Sequence, residues 1–298
     1  VPPIDGFDAI DFVTSDTLWD IRKQPPKMVV LGGGPIGCEL TQAFSRLGTE
    51  VTLVEMAPQL LGREDGDAAD AVLTSLRDDD GVNVALSTKA VRAEGKGSAG
   101  TLVCEQDGQE VRYDFDLLLL ALGRKANSNT AGIADLGVEI AGNGTVATDP
   151  FLRTNYPSIS VCGDVAGPYQ FTHVAAHQAW YAAVNSLFRP FWSFRTDYTV
   201  IPWATFTSPE VARVGLNETG ASEQGIDVEV TRYGIDDLDR AITDGEAHGF
   251  VKVLTAPGSD KILGATIVGA HAGELIAEFV LAMKHGLGLN KILGTIHI

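Results

Sequence analysis

Cysteine is scarce in this 298-residue chain: Cys38, Cys104 and Cys162 are its three, and none stands in a CxxC or other metal-ligand spacing. That count excludes a disulfide scaffold and points to a reducing compartment, with the cytoplasm as the expected location. Basic residues are also few, 22 Lys and Arg against 39 Asp and Glu, for a formal net charge of -17. Such a surface repels nucleic acid and anionic lipid headgroups, so neither is an expected partner. No apolar run reaches the ~18 residues of a membrane span, and no signal peptide opens the chain. The chain starts at Val1 rather than Met and stops at His297-Ile298, and both ends read as cut. What is present is an ordinary globular composition, 45% hydrophobic, in a chain long enough for two domains.

Residues 1–26 carry Pro2, Pro3, Pro25 and Pro26 and read as a lead-in segment. Met28-Val29-Val30-Leu31 then forms a wholly apolar run, the pattern of a central parallel strand. A glycine turn over 32–37 precedes a helix over 38–47, with Leu40, Ala43, Phe44 and Leu47 at helical spacing and Gly48 as its stop. Val51-Thr52-Leu53-Val54 supplies the next strand, completing a βαβ unit within ~30 residues. A second helix is predicted from Ala68 to about Arg77, then a strand over 82–85. Residues 88–114 alternate around glycine-rich turns and predict a small antiparallel meander inserted into the parallel sheet. Leu117 to Leu122 predict one more buried strand, closed by Gly123.

From 124 to 198 turn residues crowd the sequence. A strand is expected over 159–162, ending at Gly163-Asp164, and a helix from Val174 to Leu187. The last hundred residues predict strands over 199–205, 228–233, 249–254 and 262–268, then a helix from Ala272 to His285. Ile276, Phe279, Val280, Met283 and Leu287 would form one apolar face of that helix. Strands followed by a helix indicate an α+β domain separate from the βαβ part.

Gly32-Gly33-Gly34-Pro35-Ile36-Gly37 fits GxGxxG, follows a strand, opens a helix, and meets Glu55 at the end of the second strand. The residue types follow from the chemistry of a dinucleotide. Gly32 permits a tight turn, Gly34 lets backbone approach a pyrophosphate, and Gly37 lets the helix pack closely on the strand. The helix N-terminus offers N–H groups and a positive dipole to phosphate. Glu55 would accept hydrogen bonds from adenosine ribose hydroxyls and repel a 2′-phosphate, so NAD is favoured over NADP. A glycine-rich turn in some other α/β protein, with Glu55 merely solvated, is the competing reading.

Gly-Gly-Gly-Pro-Ile-Gly-Cys-Glu over 32–39 resembles the NAD-domain signature of the pyridine nucleotide–disulfide oxidoreductases, the family that holds dihydrolipoyl dehydrogenase, glutathione reductase and mercuric reductase. Three further stretches match in the same order. Leu120-Ala121-Leu122-Gly123-Arg124 with Asn127 is similar to the segment closing the NAD domain. Ser160 to Val165, followed by Thr172, is similar to the second flavin-binding motif. Thr207-Ser208-Pro209-Glu210 with Val214-Gly215-Leu216 is similar to the opening of the dimerisation domain. The resemblance implies a lead-in from the FAD domain over 1–26, an NAD-binding domain over 27–123, a second FAD-domain segment over 124–198 and a truncated α+β dimerisation domain over 199–298. The implied fold is thus α/β, a Rossmann-like NAD domain joined to a partial FAD domain. Asp164 would bind the flavin's ribityl chain, Thr172 would reach the ring edge, and His173 would line the flavin side. Glu39 would pair with a flavin-side lysine. Pro35 stands where some relatives carry an aromatic gate.

The implied activity is hydride transfer from NADH to FAD and on to a redox disulfide in a homodimer, of the dihydrolipoyl dehydrogenase type, with a small-molecule electron acceptor. A mercuric-reductase-like enzyme and a non-enzymatic NAD-binding dimeric module are the alternatives. The family's redox cysteine pair has no counterpart here, and its C-terminal histidine falls one position beyond Ile298, so His297 is not that base. This chain by itself is expected to be inactive. Cys38, Cys104 and Cys162 are expected as packing residues, the last two on strands. His173 and His177 stand four apart but lack a third ligand at metal spacing.

Overall fold

The computed structural model describes residues 4–129, 132–133 and 135–297. Contacts divide the chain into two compact units, residues 1–123 together with 202–298, and residues 124–201.

The first unit begins with strand β1 (Phe12–Thr14), inside the stretch read as a lead-in, and continues with β2 (Lys27–Leu31), helix α1 (Pro35–Arg46), β3 (Glu50–Val54), α2 (Gly66–Thr74) and β4 (Asn83–Ala85). Three long strands follow, β5 (Thr88–Lys96), β6 (Ala99–Gln106) and β7 (Gln109–Phe115), and then β8 (Leu117–Leu120). The parallel sheet runs β1-β8-β2-β3-β4. Strand β8 throughout and β2 from Met28 onward are apolar because both faces are covered. Met28, Val30, Leu117 and Leu119 point into a cluster with Cys38, Leu60 and Leu76. Their neighbours Val29, Leu31, Leu118 and Leu120 point the other way, against Leu102, Cys104 and Phe115. The alternation of side chains along a strand makes this two-faced core.

The expected antiparallel meander is inserted between β4 and β8 and forms its own three-stranded sheet, β5-β6-β7, over a face of the parallel sheet. Two expectations are corrected here. The second helix ends at Thr74 and passes into one wide π-type turn, Ser75–Asp79. The strand after the meander ends at Leu120, where Ala121 N–H still donates to Leu31 O at 2.9 Å.

The second unit holds α3 (Thr172–Phe188) and a small core of Val138, Val146 and Val161. The strand expected over 159–162 is absent among the described residues. Ser160 makes one isolated bridge to Arg153, flanked by Val161 N–H to Leu152 O at 2.9 Å. Cys162 is accordingly neither on a strand nor fully buried.

The first unit resumes with β9 (Pro202–Thr205), β10 (Glu210–Gly215), α4 (Glu218–Gln224), β11 (Glu229–Gly234), α5 (Asp239–Asp244), β12 (Phe250–Thr255), β13 (Ile262–Gly269), α6 (Ala272–Lys284) and α7 (Leu289–Leu293). The strands make an antiparallel sheet ordered β11-β12-β13-β10-β9. Strand β10, between β13 and the edge strand β9, has no counterpart in the sequence reading. The apolar face expected for α6 is only partly the buried one: Ile276 is buried with Ala272 and Ala282, whereas Leu287 lies beyond the helix and is 43% exposed.

Candidate nucleotide site and its family

Gly32 has φ 114°, and a Cβ there would stand 2.6 Å from the carbonyl O of Ala121. Only glycine takes this turn so close to β8. A Cβ on Gly37 would overlap the carbonyl O of Gly32, which is why α1 can start so near β2. At Gly34, by contrast, a Cβ would meet nothing within 4 Å. That glycine faces open space, which leaves its backbone accessible to a ligand. Pro35 opens α1, where its missing N–H costs no hydrogen bond. No side chain caps α1, so the first N–H groups of the helix, those of Ile36 and Gly37 among them, point at this space with the positive end of its dipole.

Glu55 follows β3 and is half-buried. Its Oε2 accepts the Gly33 N–H at 2.6 Å and its Oε1 the Ala57 N–H at 2.7 Å. One lone pair on each oxygen remains for further donors. The carboxylate therefore does two jobs: it fixes the glycine loop and still has capacity for hydroxyl groups. Met56, beside it, is 68% exposed and brings no charge. These features fit a dinucleotide, with pyrophosphate at Gly34 and the head of α1 and ribose hydroxyls at Glu55.

Glu39, one turn into α1, accepts the Phe206 N–H through Oε1 at 2.9 Å. Cys38 is buried and donates to Gly33 O at 3.4 Å. Burial, and then the nearby Glu39 and Glu55 carboxylates, push its thiol up to about 12. A thiol held protonated in this way is a packing group and not a nucleophile. Cys104 is likewise buried, on β6, and burial pushes it up to about 12.

The second unit brings together Asp164, Arg124 and the head of α3. Asp164 is half-exposed, with Oδ2 3.6 Å from Arg124 Nη1, and the same nitrogen donates to Gln170 O at 2.8 Å. Thr172 and His173 open α3, which no side chain caps. The His173 ring stacks on Phe171 at 5.3 Å, and His177 packs on Tyr181 at 4.3 Å, so both imidazoles serve aromatic packing. The residue that organises this turn was missed in the sequence. Gln178, 1% exposed, accepts the Gly163 N–H at 2.6 Å and donates to Gly167 O and Tyr198 Oη. An uncapped helix, a half-exposed carboxylate and a backbone turn held from behind suit a hydroxylated, phosphate-bearing ligand such as FAD. Gly123 closes the first unit at φ 109°, with open space around it.

A buried ionic group in the first unit also escaped the sequence reading. Lys252, 2% exposed on β12, contacts Asp65, Asp67 and Glu218 at 2.8–2.9 Å. Arg213 on β10 stands 2.8 Å from Glu64, both nearly buried. The available signal was a cation at an inward register of an apolar strand, in Phe-Val-Lys-Val-Leu and Val-Ala-Arg-Val. Among the described residues no group of side chains is arranged to hold a metal ion. No helix among them is long and apolar enough to cross a membrane.

Comparison with known proteins agrees with this geometry. Residues 1–179 match the model of the pyridine nucleotide-disulphide oxidoreductases, and 201–298 match that family's dimerisation domain. The dihydrolipoyl dehydrogenase of Chlamydia muridarum is 35% identical over 93% of this chain and 58% of its own length. The mercuric reductase of Streptomyces lividans is 35% identical over 99% of this chain and 62% of its own length. Among solved structures, the HOCl-induced flavoprotein disulfide reductase RclA of Escherichia coli superposes with TM-score 0.89 at 28% identity, covering 100% of this chain and 67% of that one. The chain thus spans about three-fifths of the curated relatives named here. The conserved architecture, the glycine loop with its acidic partner and the matching C-terminal sheet place this chain in the pyridine nucleotide-disulphide oxidoreductase family.

Proposed function

We propose that the chain is the nicotinamide-dinucleotide-binding and dimerising portion of a flavoprotein disulfide reductase, and that NADH is its reductant. Residues 27–123 form the NAD domain, 124–198 a segment of the FAD domain and 199–298 the surface on which two copies associate. The single observation carrying this reading is the Gly32–Gly37 loop with both Glu55 oxygens tied to backbone N–H groups. Gly34, Ile36 and Gly37 receive the pyrophosphate, and Glu55 accepts the ribose hydroxyls. A 2′-phosphate at Glu55 meets a like charge, the reason for favouring NADH over NADPH. Asp164, Thr172 and His173 line the FAD segment, and Glu39 gives flavin-side support from α1. Bound FAD supplies a two-electron relay between nicotinamide and a disulfide, chemistry the protein only positions. The acceptor is a small disulfide or a mercuric ion, the substrates in the names of the relatives, and the low cysteine count favours a cytoplasmic setting.

The test is titration of the protein with NADH and NADPH, followed by cofactor fluorescence, before and after loading with FAD and desalting. NADH binding tighter than NADPH binding, and retained flavin that bleaches anaerobically with NADH, support the reading. Equal affinity for the two cofactors removes the Glu55 argument. Absence of NADH binding removes the function.

A further inference from the structure

The buried ions on the C-terminal sheet and the glycine loop lie in one compact unit, and a short chain of contacts links them. Trp203 on β9 donates its indole N–H to Glu64 Oε1 at 2.8 Å. The Arg213 guanidinium lies over the Trp203 ring, 4.2 Å from its centre. Its Nη2 donates to the carbonyl O of Arg63 at 2.7 Å, which also accepts Asn217 Nδ2 at 3.2 Å. Arg213 Nε stands 2.8 Å from Glu64 Oε2 as an ion contact without hydrogen-bond alignment. Residues 63 and 64 are thereby held through backbone and side chain together.

From Glu64 the linkage runs back to the nucleotide loop. Glu64 O accepts Gln59 Nε2 at 2.9 Å, and Glu64 N–H donates to Leu61 O at 2.7 Å. Leu61 N–H donates to the carbonyl O of Gly33 at 2.9 Å. Leu60, 1% exposed, packs where a Cβ on Gly33 would stand, 2.6 Å from its Cδ2. Gly33 is thus fixed on one side by Glu55 and on the other by Leu61. Leu61 itself has φ 48°, a left-handed conformation that a leucine does not keep unless its surroundings impose it. Its backbone is held by Gly33 and Glu64, and Glu64 in turn is held by Trp203 and Arg213 of the C-terminal sheet.

We propose that Glu64, Arg213 and Trp203 are positioning residues for the dinucleotide: the C-terminal sheet sets loop 57–65, and that loop sets the Gly33 backbone beneath the pyrophosphate. The inference rests on the dinucleotide reading of the Gly32–Gly37 loop. None of the three residues touches the cofactor, and their effect passes through Leu61. A buried ion pair of merely structural value could be replaced by apolar groups at no cost to binding.

The experiment compares the protein with the double variant Glu64→Leu/Arg213→Met and with Trp203→Phe, using ADP-ribose as a probe of the adenosine and pyrophosphate half alone. Melting temperature is followed in parallel. The double variant removes both charges together, so that neither is left buried alone. The proposal expects each variant to melt as a folded protein and to bind ADP-ribose and NADH more weakly by the same factor. That factor is about threefold to thirtyfold for the double variant and smaller for Trp203→Phe. Folded variants with unchanged ADP-ribose affinity overturn the proposal while leaving the dinucleotide reading intact. If the double variant does not fold, Trp203→Phe decides alone by the same criterion. Failure of the unsubstituted protein to bind ADP-ribose or NADH overturns both.

Discussion

The two units satisfy their buried backbone by different means. In residues 1–123 and 202–298, ladders do the work: five parallel strands in one sheet and antiparallel sheets of five and three strands carry the backbone pairing, and side chains add the packing. In residues 124–201, individual polar side chains replace the ladder. Gln178 holds the 163–167 turn, and Asn185, 2% exposed, binds Phe151 O, Phe194 O and the Phe194 N–H. Asp149 accepts from the Phe151 and Arg153 N–H groups as well as from the Arg153 guanidinium. A ladder spreads its energy over many bonds, so a single substitution removes little of it. A turn held by one amide concentrates the same role in one residue. The exception in the first unit is its ionic group, where a few charges carry a comparable share.

Breaking that exception gives the largest effect. Lys252→Met leaves the nearly buried Asp65 facing Asp67 and Glu218 without its own cation, Arg232 standing 3.8 Å from Asp67 only. Breaking a buried pair in this way costs about 3–5 kcal/mol, read as a fall in denaturation midpoint at unchanged slope. A loss below about 1 kcal/mol would show that water replaces the lysine. Next comes Gln178→Ala, which strands the Gly163 N–H and Gly167 O. Each buried group left unpaired costs about 1–3 kcal/mol. Amide exchange at Gly163 should quicken while the Val29 and Val30 amides keep their protection. Quickening of both would mean that the two units unfold as one.

The acid limb sharpens the same contrast with a smaller effect. Burial opposes the Asp65 charge, but Lys252 and the Glu218 and Thr219 N–H groups outweigh it, so its carboxyl titrates below its ordinary 3.8. A depressed carboxyl adds stability above its unfolded pKa, and that stability is lost as pH falls through the lower folded value. Burial also opposes the charge of Lys252, yet the three carboxylates raise its pKa, so its contribution is complete at neutral pH and is lost only in strong alkali. Wild type should therefore exceed Asp65→Asn in melting temperature at pH 6, with the gap closing below about pH 4. A gap that persists unchanged at pH 2 would refute the assignment. The smallest effect belongs to the exposed square of Arg92, Glu94, Glu110 and Arg112 on the meander. Water and salt screen such pairs, so Arg112→Ala should leave the melting temperature at 0.5 M salt within measurement scatter.

Much of the first unit is legible in the sequence because its signals are local. Val-Val-Leu and Leu-Leu-Leu-Leu fit strands covered on both faces, and glycines 32 and 37 state a backbone requirement that the geometry repeats. Glu55 was legible as a polar group at a strand end, though its bonds to Gly33 and Ala57 were not. The expected strand at 159–162 failed for the converse reason. An apolar tetrapeptide fits a strand, but a strand exists only if a neighbour completes its ladder, and here Arg153 meets Ser160 at one bridge alone. The meander was recognised as antiparallel hairpins, yet whether it enters the parallel sheet or lies across it depends on Leu102 and Phe115 reaching Leu118 and Leu120.

By itself, then, the sequence determined the βαβ core, the glycine loop, the acidic partner of that loop and the family. Each is written in residues close along the chain, where sterics and periodicity leave few alternatives. Tertiary structure alone decided that Arg213 and Lys252 reach carboxylates 149 (213 − 64) and 187 (252 − 65) positions earlier. It also decided that Gln178 pins a turn and that the meander caps a sheet face. Those contacts follow from how completed elements pack, and no local pattern encodes which charge will meet which across a finished core.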